Sequence, residues 1–119
     1  METPKVFESE YHFCDILWDH EPVSSGELVR LCSEKLQWKK STTYTVIRRL
    51  SERGVLKSEN AVVTSLVSKE EVQSKESAEV VERTFSGSLP GFIAAFVRKK
   101  SLTLDEADEI QKIIDSYKN

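Results

Sequence analysis

No run in this 119-residue chain approaches the roughly 20 consecutive apolar residues that a membrane span needs. The first seven residues, Met1-Glu2-Thr3-Pro4-Lys5-Val6-Phe7, lack the apolar core of a signal peptide, so a cytoplasmic location is the expectation. Cysteine is scarce: Cys14 and Cys32, both at core-type positions in helical patterns, read as free buried thiols in a cytosolic chain. The only histidines are His12 and His20, so no metal-ligand cluster takes shape, and neither a metal nor another cofactor is expected. The few glycines form no phosphate-cradling loop. His12 and His20 read as surface or boundary residues of one helix. The pairs Glu70-Glu71 and Asp105-Glu106 read as acids at helix N-termini rather than catalytic pairs. These absences exclude an enzyme and leave no small-molecule substrate to bind. An overall excess of positive charge is missing too: the net charge is −3.

The distribution of that charge is more informative than its sum. Between Arg30 and Lys57 stand eight basic residues and two acids, a local charge of +6. Such a patch can hold a polyanion while the rest of the protein stays acidic. At its centre lies Ser41–Leu50, S-T-T-Y-T-V-I-R-R-L. At about 100° per residue, Thr43, Val46, Ile47 and Leu50 share one face. Ser41, Tyr44, Thr45 and Arg48 share the other, with Thr42 and Arg49 at the edges. The first face is small and apolar enough to pack. The second, rich in hydroxyls and guanidinium, suits base edges and phosphates in a DNA major groove.

In chain order, a first helix is predicted over Ser9–His20, N-capped by Ser9, carrying Tyr11, Cys14, Leu17 and Trp18 on one stripe and ended by Glu21-Pro22. A second starts at Ser24 or Ser25, where Ser24-Ser25-Gly26-Glu27 has the form of a capping box, and continues through Leu28, Val29, Cys32 and Leu36. The third starts at Ser41 or at Lys39 and stops at Gly54. The period then changes. Val55–Lys57 and Ala61–Val67 read as strands joined by a turn at Ser58-Glu59-Asn60. Three helices and a β-hairpin describe a mainly α, winged helix-turn-helix domain over residues 1–67. Residues 68–119 read as a helical dimerisation domain. A fourth helix opens at Ser68-Lys69-Glu70-Glu71 with a thin stripe of Val72, Ala78, Val81 and Phe85. A fifth carries Leu89, Phe92, Ile93, Phe96 and Val97. A sixth opens at Thr103-Leu104-Asp105-Glu106 and carries Leu104, Ala107, Ile110, Ile113, Ile114 and Tyr117. Two such short helices cannot bury both stripes by themselves. A second copy of the chain is expected to cover them, the competing reading being that they fold back onto their own winged helix.

The order of these parts resembles the penicillinase repressor family, which includes the methicillin-resistance repressors. The resemblance rests on Tyr11-x-x-Cys14-x-x-Leu17-Trp18, on Val23-Ser24-Ser25-Gly26-Glu27-Leu28, on Trp38 through Leu50, on Arg53-Gly54-Val55-Leu56 and on Ser68-Lys69-Glu70-Glu71. It departs from the family at Tyr11, where a tryptophan is usual, and in the strand Ala61–Val67, which lacks the common glycine and tyrosines. The resemblance implies a homodimeric transcriptional repressor on pseudo-palindromic operators of β-lactamase or related resistance genes. Double-stranded operator DNA would be approached by Ser41, Thr42, Tyr44 and Thr45 at base edges and by Lys39, Lys40, Arg48 and Arg49 at phosphates. The wing around Lys57–Asn60 would touch the backbone or minor groove. It further implies relief of repression by a membrane-bound sensor metalloprotease that leads to cleavage in the dimerisation region. Gly91–Phe96 occupies the place of the family's S-L-x-L-N-F, with Ala95 where the family has asparagine, so Ala95–Phe96 is the candidate bond. The family's copper-responsive members carry paired cysteines near the C-terminus, and this chain has none after Cys32. The alternatives are a winged-helix module that binds another protein, or a repressor answering to a different signal. Fold alone does not decide between them.

Overall fold

The computed structural model of the chain describes residues 2–119 and contains six helices and one small sheet among them. The chain forms two compact units that divide inside the fourth helix, one running through Ser77 and the other comprising Ala78–Asn119.

The first unit opens with α1 (Glu8–His20). Its N-cap is Phe7, not Ser9, because the Glu10 carboxylate reaches back to accept the Phe7 backbone N–H at 3.0 Å and starts the helix early. The helix stops at Glu21, whose extended backbone leads into Pro22. A two-residue strand, β1 (Val23–Ser24), then precedes α2 (Ser25–Leu36), where the Ser24 hydroxyl caps the Glu27 N–H at 3.1 Å. Gln37 adopts a left-handed conformation (φ 56°) and turns the chain toward α3 (Lys40–Arg53). The N-cap of α3 is Lys39 rather than Ser41. Trp38, stacked on Phe13 with ring centroids 6.0 Å apart, anchors the chain just before it, and the helix begins at once. Gly54 ends α3 at φ 85°, a conformation that costs glycine nothing.

The wing follows as β2 (Leu56–Glu59) and β3 (Val62–Ser65). Its turn lies one residue later than Ser58–Asn60. Asn60 and Ala61 both have positive φ (51° and 61°), the pattern of a two-residue turn whose twist matches the flanking strands. Ala61 is therefore a turn residue and not the start of a strand. The sheet has three antiparallel strands in the order β1-β3-β2, with Val23 opposite Val63 and Lys57 opposite Thr64. The strand β1 is too short to leave a periodic signal and escapes the sequence reading.

One core holds this unit together. Phe13, Leu17, Leu28, Cys32, Leu50, Leu56 and Val63 are all at most 1% exposed. Phe13, Ile16 and Leu31 join the stripes read from the sequence, while Tyr11, Trp18 and Leu36 sit at the margin. The Trp18 indole N–H donates to the Val67 carbonyl at 3.0 Å, and the Glu21 carboxylate accepts the backbone N–H and the hydroxyl of Ser65. These bonds seat the wing on α1.

The helix α4 (Lys69–Phe85) is capped reciprocally by Ser68 and Glu71 and buries only Val72. Its first turns meet α1 through polar contacts, Lys69 with Asp15 at 2.8 Å and Gln73 with the Tyr11 hydroxyl at 3.2 Å. In the second unit α5 (Leu89–Lys99) is capped by Ser88, and α6 (Leu104–Tyr117) by a complete Thr103/Glu106 box. Phe92 meets the edge of Phe85, with centroids 5.4 Å apart. Neither α5 nor α6 contains a buried residue.

Candidate nucleic-acid interface

The geometry of α3 begins with what it hides. Thr43, Val46, Ile47 and Leu50 are its four buried residues, the set that 100° spacing puts on one face. Each fully buried aliphatic side chain of this size stabilises the fold by roughly 1.5–3 kcal/mol, which locks the rotation of the helix about its own axis. The opposite face is thereby forced into solvent. Ser41, Thr42, Tyr44, Arg48 and Arg49 are exposed, and Thr45 is half-buried at the margin. Lys39 and Lys40 lie exposed at the N-terminal end, where the first turn carries no acid and the helix dipole is positive. The Lys40 ammonium sits over the Tyr44 ring, 6.0 Å from its centroid, so two of the proposed contact residues support each other. Lys57 is exposed on β2.

The +6 window sorts into two kinds of cation. Arg30 is engaged by its own helix, by Glu27 and by Glu34 at 2.8 Å, and these carboxylates hold its pKa above the ordinary value. Arg53 points away from the exposed face. It makes a forked pair with Glu10 on α1 at 2.6 and 3.1 Å and donates to the Lys5 carbonyl at 2.9 Å. By contrast Lys39, Lys40, Arg48, Arg49 and Lys57 enter no ion pair among the described residues. With Lys35 on α2, which is likewise exposed and enters no ion pair among the described residues, these are the cations of the window available to an external polyanion.

Glu10 is the residue that sequence reasoning missed. It is 3% exposed. Burial alone pushes its pKa up, but the hydrogen bonds from Arg53 and the Phe7 N–H, with the Arg53 charge, outweigh that and hold it below the ordinary value. The signal was present in outline: Glu10 is in helical register with Phe13, Cys14 and Leu17, and an acid on a core stripe is almost never buried unless paired. What the sequence does not reveal is which of the many cations answers it.

The described residues contain no group of three or more His, Cys, Asp or Glu placed to hold a metal ion. Both thiols are buried and free; burial, with the Glu10 and Asp15 carboxylates nearby, pushes Cys14 up to about 12, too high for a reactive thiolate. No helix of the described residues is long and apolar enough to cross a membrane.

The second unit presents apolar surface instead of charge. On α5, Leu89, Ile93 and Phe96 are exposed, while Phe92, Ala95 and Val97 are half-buried. On α6, Leu104, Ile110, Ile113, Ile114 and Tyr117 are all exposed, Ile113 at 59%. The stripes read from the sequence form, and among the described residues neither helix contains a buried side chain.

Comparison with known proteins follows the same outline. The sequence pattern of the family described as "Penicillinase repressor" matches residues 7–116. The methicillin resistance regulatory protein MecI of Staphylococcus aureus (strain Mu50 / ATCC 700699) is 25% identical over 118 residues, covering 96% of each chain. The penicillinase repressor of Bacillus licheniformis is 22% identical over 122 residues, covering 99% of this chain and 95% of that one. Among solved structures, the DNA-binding domain of the repressor BlaI superposes with a TM-score of 0.51 at 22% identity, over 60% of this chain and 93% of that one. The monomeric form of Bacillus licheniformis BlaI in complex with the blaP half-operator superposes with a TM-score of 0.52, again at 22% identity and over the same shares of the two chains. At this identity the likeness supports the winged-helix fold.

Proposed function

The chain belongs to the penicillinase repressor family, whose members are transcriptional repressors and not enzymes, and from that membership and the geometry of α3 we propose how it works. It is a homodimeric repressor in which residues 1–67 bind DNA and residues 68–119 join two copies. Each protomer lays α3 in a major groove of one half of a pseudo-palindromic operator. Ser41, Thr42, Tyr44 and Thr45 meet base edges there. Lys39, Lys40, Arg48 and Arg49 meet phosphates, and Lys57 brings the wing to the backbone. The observation that carries this reading is the split of α3 into a buried face and a solvent face rich in hydroxyls and unpaired cations.

The apolar stripes of α5 and α6 supply the dimer contact, since stripes with this much apolar surface exposed are most simply closed by their own copy in an isologous interface. Repression is relieved by proteolysis in α5, at Ala95–Phe96, triggered through a membrane-bound sensor metalloprotease. Cutting there divides the α5 stripe and removes part of the surface that holds the pair together. The regulated genes are those of β-lactamase or related resistance functions. Incubating the chain with the activated sensor and measuring its mass tests the bond: two fragments divided after Ala95 are expected, and an intact chain excludes it.

Footprinting on DNA upstream of the chain's own gene, with a salt series, tests the whole reading. With five cations per protomer on phosphate, ten in the dimer, log K should fall against log salt with a slope of about −9. Two protected half-sites about one helical turn apart, or a multiple of that, are expected. No protection, or binding indifferent to salt, refutes the DNA assignment.

A further inference from the structure

Arg53 belongs to the basic window by sequence but not by position. Its guanidinium is held by the Glu10 carboxylate at 2.6 and 3.1 Å and by the Lys5 carbonyl at 2.9 Å, and it lies 5.1 Å from the centroid of the Phe7 ring. The Phe7 N–H in turn donates to the same carboxylate at 3.0 Å. Every one of these partners lies in the segment Lys5–Glu10, which enters α1. The last residue of α3 is thus clamped to the start of the chain, across 43 positions of sequence.

Apolar packing fixes the depth and roll of α3, but it is non-directional and tolerates small tilts. A forked arginine–carboxylate pair has a defined plane and direction. The lever it controls is long: at 1.5 Å per residue the 14-residue helix spans about 21 Å, so a tilt of about 5° moves its far end by about 2 Å. That exceeds the tolerance of a hydrogen bond to a base edge. We propose that the Glu10–Arg53 pair is a positioning device that sets the angle of α3 and with it the discrimination between operator and other DNA, Arg53 making no phosphate contact of its own. This rests on the DNA-binding reading above.

The distinguishing variant is Glu10→Gln, which removes an acid and no cation. Electrostatics alone makes it bind every duplex more tightly. A positioning role makes it bind the operator more weakly. The full chain first selects a duplex from a random pool. Wild type, Glu10→Gln and Arg53→Lys are then titrated by anisotropy against that duplex and a scrambled one, across a salt series, at a temperature where far-UV circular dichroism shows all of them folded. We expect Glu10→Gln to lose about tenfold on the selected duplex, the worth of about one base contact, with scrambled binding no weaker than wild type and the salt slope unchanged. Arg53→Lys, which keeps the cation but not the fork, should lose part of the discrimination at the same slope. Val72→Ala on α4, buried far from α3 in sequence, serves as a control that lowers stability and leaves the ratio intact. If Glu10→Gln does not fold, Glu10→Leu/Arg53→Met replaces the pair with apolar volume and should fold with the ratio still reduced. The inference is overturned if the folded variant binds the selected duplex as tightly as wild type, or if Arg53→Lys or the double variant lowers binding to both duplexes alike. Failure of the wild-type chain to select any duplex removes the DNA reading itself, and this inference with it, before any variant is measured.

Discussion

Replacing Ile113 by alanine is the most direct way to ask what covers α6. Ile113 is 59% exposed in the single chain, so a fold of one copy has little use for its side chain. Full burial of an isoleucine is worth roughly 1.5–3 kcal/mol, and covering the exposed part of this one is worth about 1–2 kcal/mol. A two-fold interface contains the residue twice, and alanine keeps only the Cβ. The expected cost is therefore about 2 kcal/mol per dimer, or about a 30-fold weaker dissociation constant. Alanine is also the better helix former, so α6 itself should survive, which far-UV circular dichroism checks. Sedimentation velocity over a dilution series reads the constant directly. Lys112→Ala, on the opposite side of α6 from Ile110 and Ile114, should leave it unchanged. A dissociation constant for Ile113→Ala within about twofold of wild type would refute the reasoning, because the stripe would then have no role in pairing.

Three further outcomes follow from the site. Thr45→Ala should cost about 1–3 kcal/mol on the operator and nothing on scrambled DNA, read as a ratio of two binding constants; unchanged selectivity argues against the assigned reading face. Arg48→Ala removes two phosphate contacts per dimer and should flatten the salt slope by about 2, weakening operator and scrambled duplex alike by about 30-fold near 0.15 M salt. Glu10 is held below the usual carboxylate range by Arg53 and the Phe7 N–H against the opposing effect of burial, so it stabilises the fold above the ordinary carboxylate pKa, and this contribution is lost as pH falls through the lowered value. Urea unfolding followed by Trp18 and Trp38 fluorescence should show that acid limb in wild type and a flatter one in Glu10→Gln; equal limbs would place the acid sensitivity elsewhere.

The helix α3 was largely legible because its pattern is local. Spacing alone separates Thr43, Val46, Ile47 and Leu50 from Ser41, Tyr44 and Arg48, and the structure buries the first set. The caps at Ser24, Ser68 and Thr103 were legible for the same reason, each being a bond between residues three apart. Where local signals competed, the nearest good capping residue lost. Ser9 gave way to Phe7, an apolar residue that does not announce a cap although the Glu10 carboxylate accepts its N–H from three residues on, and Ser41 gave way to Lys39, where the Trp38–Phe13 stack acts from outside the window that a cap motif spans. Ala61 read as strand because its β-rich neighbours outweigh a turn that needs positive φ, and alanine does not announce such a turn.

What the sequence determined unaided is therefore what periodicity can express: helices, their two faces, and the concentration of cations around one of them. Tertiary structure decided which cations are free. It turned Arg30 into its own helix and Arg53 toward Glu10, and it paired Val23 with Val63 and Glu21 with Ser65 across about 40 intervening residues. A helix face follows from a fixed rotation per residue along the chain. The partner of a buried charge follows from where distant segments meet, and no repeat in the sequence carries that information.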